Sequence, residues 1–100
     1  MPDSLRIDKW LFFCRFFKTR SLAASVITGG EVRLNGRIVT KPAQPVSAGD
    51  EIIFPTGPKW RWVRVLARGE RRGPVAEARS LYEDLGIIPS GPSTLSDSRG

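Results

Sequence analysis

At 100 residues the chain has room for one small domain, which buries roughly 60–65% of its unfolded surface and leaves little for a deep catalytic cleft. A composition of 40% hydrophobic and 26% charged residues argues against wholesale disorder. Sixteen Lys and Arg against ten Asp and Glu give a net charge of +6 without any histidine. This arginine-rich excess points towards nucleic acid, because guanidinium forks match phosphate geometry, while an anionic membrane surface or plain solubility stays open.

From the N-terminus, Arg6, Asp8 and Lys9 interrupt any apolar run before it could form a signal peptide. No stretch approaches the ~20 apolar residues needed to span a bilayer, so the cytoplasm is the simplest expectation. "LRIDKWLFFCRFF", residues 5 to 17, predicts a helix with Ile7, Leu11 and Cys14 on one stripe and Arg6, Lys9 and Arg15 off it. Aromatic residues at 10, 12, 13, 16 and 17 broaden its apolar face. A single cysteine excludes an internal disulfide, and no second Cys or any His offers metal-ligand spacing, so neither metal nor cofactor is expected. Cys14 reads as a small core side chain.

Residues 19 to 28 predict a second helix capped by Thr19, with Leu22, Val26 and Ile27 buried and Ala23 and Ala24 permitting close approach. Gly29 or Gly30 ends it in the left-handed region. In "EVRLNGR" the period changes to two, with Val32 and Leu34 on one face and Glu31 and Arg33 on the other. Asn35-Gly36 predicts a type I′ hairpin turn, followed by a return strand over 37–40. "KPAQPVSAGDE" is expected as a loop with a Gly-Asp turn, "EIIF" (51–54) as a buried strand and "PTGP" (55–58) as a turn. "WRWVRVLA" (60–67) is a further strand with Val63 and Val65 inward and Trp62 and Arg64 outward.

After a basic loop over 68–72, residues 73–86 predict a third helix, with Pro74 first, Gly86 beyond its end and a stripe of Val75, Ala78, Tyr82 and Leu85. From Pro89 to Gly100 the Ser, Gly, Pro and Thr content predicts a flexible tail. The expectation is an α+β domain over residues 1–88, with two N-terminal helices on a small, mostly antiparallel sheet and a C-terminal helix.

Enzyme chemistry finds little support. Without His there is no Ser-His or Cys-His pair, and Gly29-Gly30 precedes a strand rather than the helix of a phosphate loop. Charge placement is more informative. Eight of the sixteen cations lie in residues 6–41 against only Asp8 and Glu31, and seven more lie in 59–79 against Glu70 and Glu77. If both helices and the hairpin tip share a face, Arg6, Lys9, Lys18, Arg20, Arg33 and Arg37 would line it, although a solvated surface accounts for any one of them. The Asn35-Gly36 turn needs no partner, yet a glycine tip lets a phosphate backbone come close. Trp60 and Trp62 can stack on bases or pack across the sheet.

"RIDKWL", "KTRSLAASVITGGEVRLNGR", "TKP" and "AGDEI" occur in an order that resembles the RNA-binding domain named after ribosomal small-subunit protein S-four, across residues 6 to 54. "RRGPVAEARSLYEDL", residues 71 to 85, is similar to the ending of the ribosome-associated heat-shock protein fifteen family. The resemblance implies an αL RNA-binding motif and action on the large ribosomal subunit, in rescue or recycling of subunits that carry a stalled nascent chain on transfer RNA. It implies an RNA face of Arg6, Lys9, Lys18, Thr19, Arg20, Asn35, Arg37 and Lys41, to which the charge pattern and the turn add Arg33 and Gly36. Asp8 would orient a neighbouring arginine. The expected partners are structured RNA, ribosomal and transfer RNA included, with no membrane, no small-molecule substrate and a monomeric chain. Longer relatives carry a basic C-terminal extension, and "SGPSTLSDSRG" departs from it with one Arg and one Asp. Three rival readings are a protein-interaction module using the aromatic surface, the targeting part of an RNA-modifying enzyme, and a DNA-binding domain.

Overall fold

The computed structural model describes residues 4–88, so the tail expected over 89–100 lies outside the described residues. In chain order the elements are β1 (Leu5–Arg6), α1 (Ile7–Phe13), α2 (Arg20–Thr28), β2 (Val32–Leu34), β3 (Arg37–Val39), β4 (Pro45–Val46), β5 (Glu51–Thr56), β6 (Lys59–Val65), α3 (Val75–Arg79) and β7 (Tyr82–Ile88). β3-β2-β5-β6-β7 form one antiparallel sheet of five strands, and β1 pairs with β4 in a separate ribbon. Ile7, Trp10, Leu11, Ala23 and Ile27 from the two helices pack on Val32, Ile52, Phe54, Val63 and Val65 of one sheet face. The α+β expectation holds, and among the described residues the opposite sheet face carries no helix.

α1 ends four residues earlier than its periodicity suggests. Arg15 turns left-handed at φ 67°, a conformation that costs an L-residue roughly 1–2 kcal/mol. Arg15 N–H donates to the Phe12 carbonyl (3.0 Å) and Phe16 N–H to that of Leu11 (3.2 Å), closing the helix in a Schellman turn. The Arg15 guanidinium donates to the Gly73 carbonyl at 2.9 Å, which holds the turn to a distant loop. Phe16 is thereby folded back, its ring 4.7 Å from Phe54 and 4.6 Å from Tyr82.

α2 follows its sequence signals. The Thr19 hydroxyl accepts from Leu22 N–H at 3.0 Å, and Gly30 at φ 76° supplies the left-handed closing residue. Leu22 is a correction: it is 49% exposed, because Ala23 and Ile27, one turn apart, form the face that meets α1. The hairpin forms with Asn35 at φ 52° and Gly36 at φ 85°, both positive as a type I′ turn requires.

The predicted third helix is half right. Only Val75–Arg79 is helical, Val75 is exposed, and Tyr82–Ile88 crosses back as a strand on β6. Arg64 meets Glu83 at 2.7 Å and Arg61 meets Asp84 at 3.0 Å, so two acids within the expected helix instead fasten an edge strand. A second omission is β4. Ile7 and Asp8 N–H groups, unpaired at the start of α1, donate to the carbonyls of Gln44 (2.8 Å) and Pro42 (3.2 Å). Cys14 is buried as expected, and burial pushes its thiol pKa up, away from reactivity.

Trp10 is wholly buried, and its indole N–H donates to the Ala67 carbonyl at 2.9 Å. Trp10→Ala should destabilise the fold by about 3–5 kcal/mol through the cavity and the orphaned carbonyl. Urea unfolding followed by circular dichroism measures this.

Candidate nucleic-acid interface

The strongest convergence is at the start of the two helices. Asp8 is 2% exposed, and its carboxylate accepts from Arg6 Nε (3.0 Å) and Nη2 (2.9 Å) and from the Lys9 backbone N–H (2.7 Å). Arg20 Nε, in the first turn of α2, lies 3.5 Å from the same carboxylate. One carboxylate neutralises one guanidinium, not two. The side chains of Arg6 and Arg20 remain 43% and 47% exposed, which leaves charged N–H edges facing solvent. Arg6, Asp8, Arg20, Ser21, Ala24 and Pro42 line one open depression. Loop 41–46 reaches it because Pro42 and Gln44 hold the start of α1, and Lys41 arrives beside it in the chain.

The remaining expected residues divide. Lys18 and Thr19 are exposed just before α2, with the Thr19 hydroxyl engaged as the helix cap. Lys9, Lys18, Arg37 and Lys41 make no ion pair among the described residues. Arg37 pairs with Leu34, whose side chain faces the helices, so it leaves the sheet on the helix side. Arg33 does not join them. It stands opposite Ile38 and Ile53 on the helix-free face and donates to the Gly36 carbonyl at 3.4 Å. The single shared platform for all six cations is therefore corrected: β2 alternation sends Arg33 the other way.

Asn35 also has a role within the fold. Its amide donates to Asp50 Oδ1 (3.1 Å) and its carbonyl oxygen accepts from Glu51 N–H (2.9 Å), so its side chain clips the hairpin to the β4–β5 turn. Gly36 has open space around it, with nothing within 4 Å of where a Cβ would lie.

The second basic cluster is largely engaged in structure. Arg61 pairs with Asp84 and lies 5.0 Å over the Phe16 ring, Arg64 bridges Glu51 and Glu83, and Arg71 pairs with Glu77 at 2.8 Å. Arg72 stands 4.9 Å over Phe12. The Glu51 hydrogen bond, with Glu83 alongside, raises the Arg64 pKa above its ordinary value. Sequence reasoning missed Ser21, Ala24 and Pro42 as walls of the depression; small residues one and four positions after Arg20 were the available signal. No cluster of metal-ligating side chains occurs among the described residues, and no helix there is long and apolar enough to cross a membrane.

Replacing the buried carboxylate by an amide should show its weight. Asp8→Asn is expected to lower unfolding stability by about 1.5–3 kcal/mol, the range for hydrogen bonds to a charged group. The arginines it releases already reach solvent, so no stranded buried charge adds to the loss. Chemical denaturation of the two proteins measures the difference.

Comparison with known proteins agrees with this fold. The S4 domain family matches residues 5–52. A heat shock protein 15 homolog from Aeromonas salmonicida is 46% identical over 80 residues, covering 80% of this chain and 60% of that protein. Heat shock protein 15 of Escherichia coli (strain K12) is 42% identical, with 59% of its length covered, so the chain spans about three fifths of these curated relatives. An RQC P-site tRNA stabilizing factor from Listeria innocua is 37% identical over 85 residues, 85% of this chain and 90% of that protein. A solved, trimeric structure of Vibrio cholerae heat shock protein 15 superposes with a TM-score of 0.79 at 34% identity, covering 84% of each chain. The chain belongs to the family of S4-domain proteins that includes heat shock protein 15 and the RQC P-site tRNA stabilizing factors.

Proposed function

We propose that this chain is a non-catalytic binder of structured RNA in the cytoplasm. Its target is ribosomal RNA of the large subunit, where subunits carrying a stalled nascent chain on transfer RNA are rescued. The observation that carries the reading is the Arg6–Asp8–Arg20 cluster: two partly exposed guanidinium groups held at one place by a single buried carboxylate. Lys9, Lys18 and Lys41 come from the adjoining ends of α1, α2 and loop 41–46 and extend the positive surface. The Listeria relative, named an RQC P-site tRNA stabilizing factor, supports the same class of ligand.

Fixing the arginines before contact reduces the side-chain ordering that binding would otherwise require. The depression is open, with exposed Arg6, Arg20 and Ser21 around the buried Asp8 carboxylate, which suits a phosphate backbone rather than an enclosed small molecule. Phosphate contacts set register and orientation on folded RNA, and shape and 2′-hydroxyl contacts supply discrimination. The protein acts as a monomer in this reading. Sedimentation velocity decides that point, with a trimer like the Vibrio relative as the competing outcome.

Lys18→Ala and Arg20→Ala should each weaken binding to purified large subunits and to refolded transfer RNA. Each should also lower the slope of log affinity against log salt by about 1. Titration at several salt concentrations, with duplex DNA as competitor, reads both quantities. Unchanged slopes in both variants would remove this face from the interface.

A further inference from the structure

The helix-free sheet face holds a feature that the cationic surface does not use. Asn35, Gly36, Glu51, Ile53 and Trp62 line a niche of about 200 Å3 beside the hairpin turn. Ile53 and Trp62 are directly paired across β5 and β6 and form its apolar wall. The indole is fixed, because its N–H donates to Glu51 Oε1 at 3.1 Å while Glu51 Oε2 accepts from Arg64 at 3.0 Å. On the far side Trp62 stands opposite Gly86, where even an added Cβ would meet nothing within 4 Å. Gly86 thus adds no side chain beside the ring, and Trp62 is half-buried rather than enclosed.

We propose that this niche is a stacking subsite for one unpaired nucleobase of the bound RNA. The inference rests on the RNA-binding reading and adds the kind of RNA that is preferred, one with a bulged or looped-out base. Three observations favour a base over a segment of protein. The niche accommodates a single ring system and is too small for a strand or helix face. Its rim is the Asn35-Gly36 turn, continuous with Arg37 on the helix-side surface, so one RNA can meet both. Arg33, neighbour of Ile53 and bonded to the Gly36 carbonyl, places positive charge where the flanking phosphates of an extruded base would lie. A pre-oriented indole stacks on any base, since every base presents a π-face.

The test uses two RNA probes: a fully paired duplex, and the same duplex with one bulged 2-aminopurine. The unaltered protein should bind the bulged probe about 5- to 150-fold more tightly, and 2-aminopurine emission should fall on binding as the base stacks. In Trp62→Ala the preference should shrink towards one, whereas Trp62→Phe should retain most of it. Arg20→Ala should weaken both probes alike and leave their ratio intact. Equal affinity for the two probes with unchanged emission, or a preference undiminished in Trp62→Ala, overturns the subsite while leaving RNA binding standing. Failure of either probe to bind in a salt-dependent way overturns both readings. Should Trp62→Ala not fold, the emission change in the unaltered protein and the Trp62→Phe ratio decide.

Discussion

One buried carboxylate organises this molecule. A charge removed from water is tolerated only when it is paired and hydrogen-bonded, and Asp8 meets that condition with Arg6, Arg20 and the Lys9 backbone N–H. Its partners come from β1, from α1 and from the first turn of α2, so the relative placement of the two helices and the presentation of two guanidinium groups have the same cause. The carbonyls of Pro42 and Gln44 complete the arrangement by accepting the N–H groups of Asp8 and Ile7. A surface built this way is stiff where it is charged.

A second polar clip works at the tip of the β2–β3 hairpin. Asp50 accepts from the Asn35 amide with one oxygen and from Ser47 N–H, at 2.9 Å, with the other. Gly49 reaches the required turn at φ 97°. Asn-Gly and Gly-Asp, fifteen residues apart, thus form one device that fixes the hairpin against β5, and both residue pairs are accounted for by folding alone. What the clip offers to a ligand is position: it holds Gly36 bare at the rim of the Trp62 niche and keeps Arg33 and Arg37 on opposite sides of a two-stranded tip.

The parts of the fold that were legible in the sequence are those whose cause is local. Thr19 and Gly30 bound α2 because capping chemistry acts within one turn, and Asn35-Gly36 forms its hairpin because the turn demands positive φ at adjacent residues. The illegible parts are decided at long range. Residues 82–85 carry a helix-compatible pattern, yet Tyr82–Ile88 pair along β6 as a strand, where Arg61 and Arg64 also receive Asp84 and Glu83, 23 and 19 residues away. Arg15 closes α1 against the usual preference for glycine because Gly73, 58 residues on, accepts its guanidinium. β4, two residues long, has no period to read. The candidate site divides in the same way. Its basic composition was visible, and so was a positioning role for Asp8, but strand parity put Arg33 on the other face and hydrogen bonds engaged Asn35.

Charge distribution links these points. Residues 6–41 hold eight cations and two acids, a surplus equal to the +6 of the whole chain, so the remaining residues sum to neutrality. The structure shows how that balance arises: Arg61, Arg64 and Arg71 each meet a carboxylate. Were those cations without acids nearby, the protein would present positive potential on further sides and bind polyanions in more orientations. With them, the uncompensated charge belongs to the segment that builds both helices and the hairpin, and a polyanion approaching within a Debye length is drawn to that segment first. The acids of β7, by pairing with Arg61 and Arg64 across an edge strand, take two cations of β6 out of that surplus.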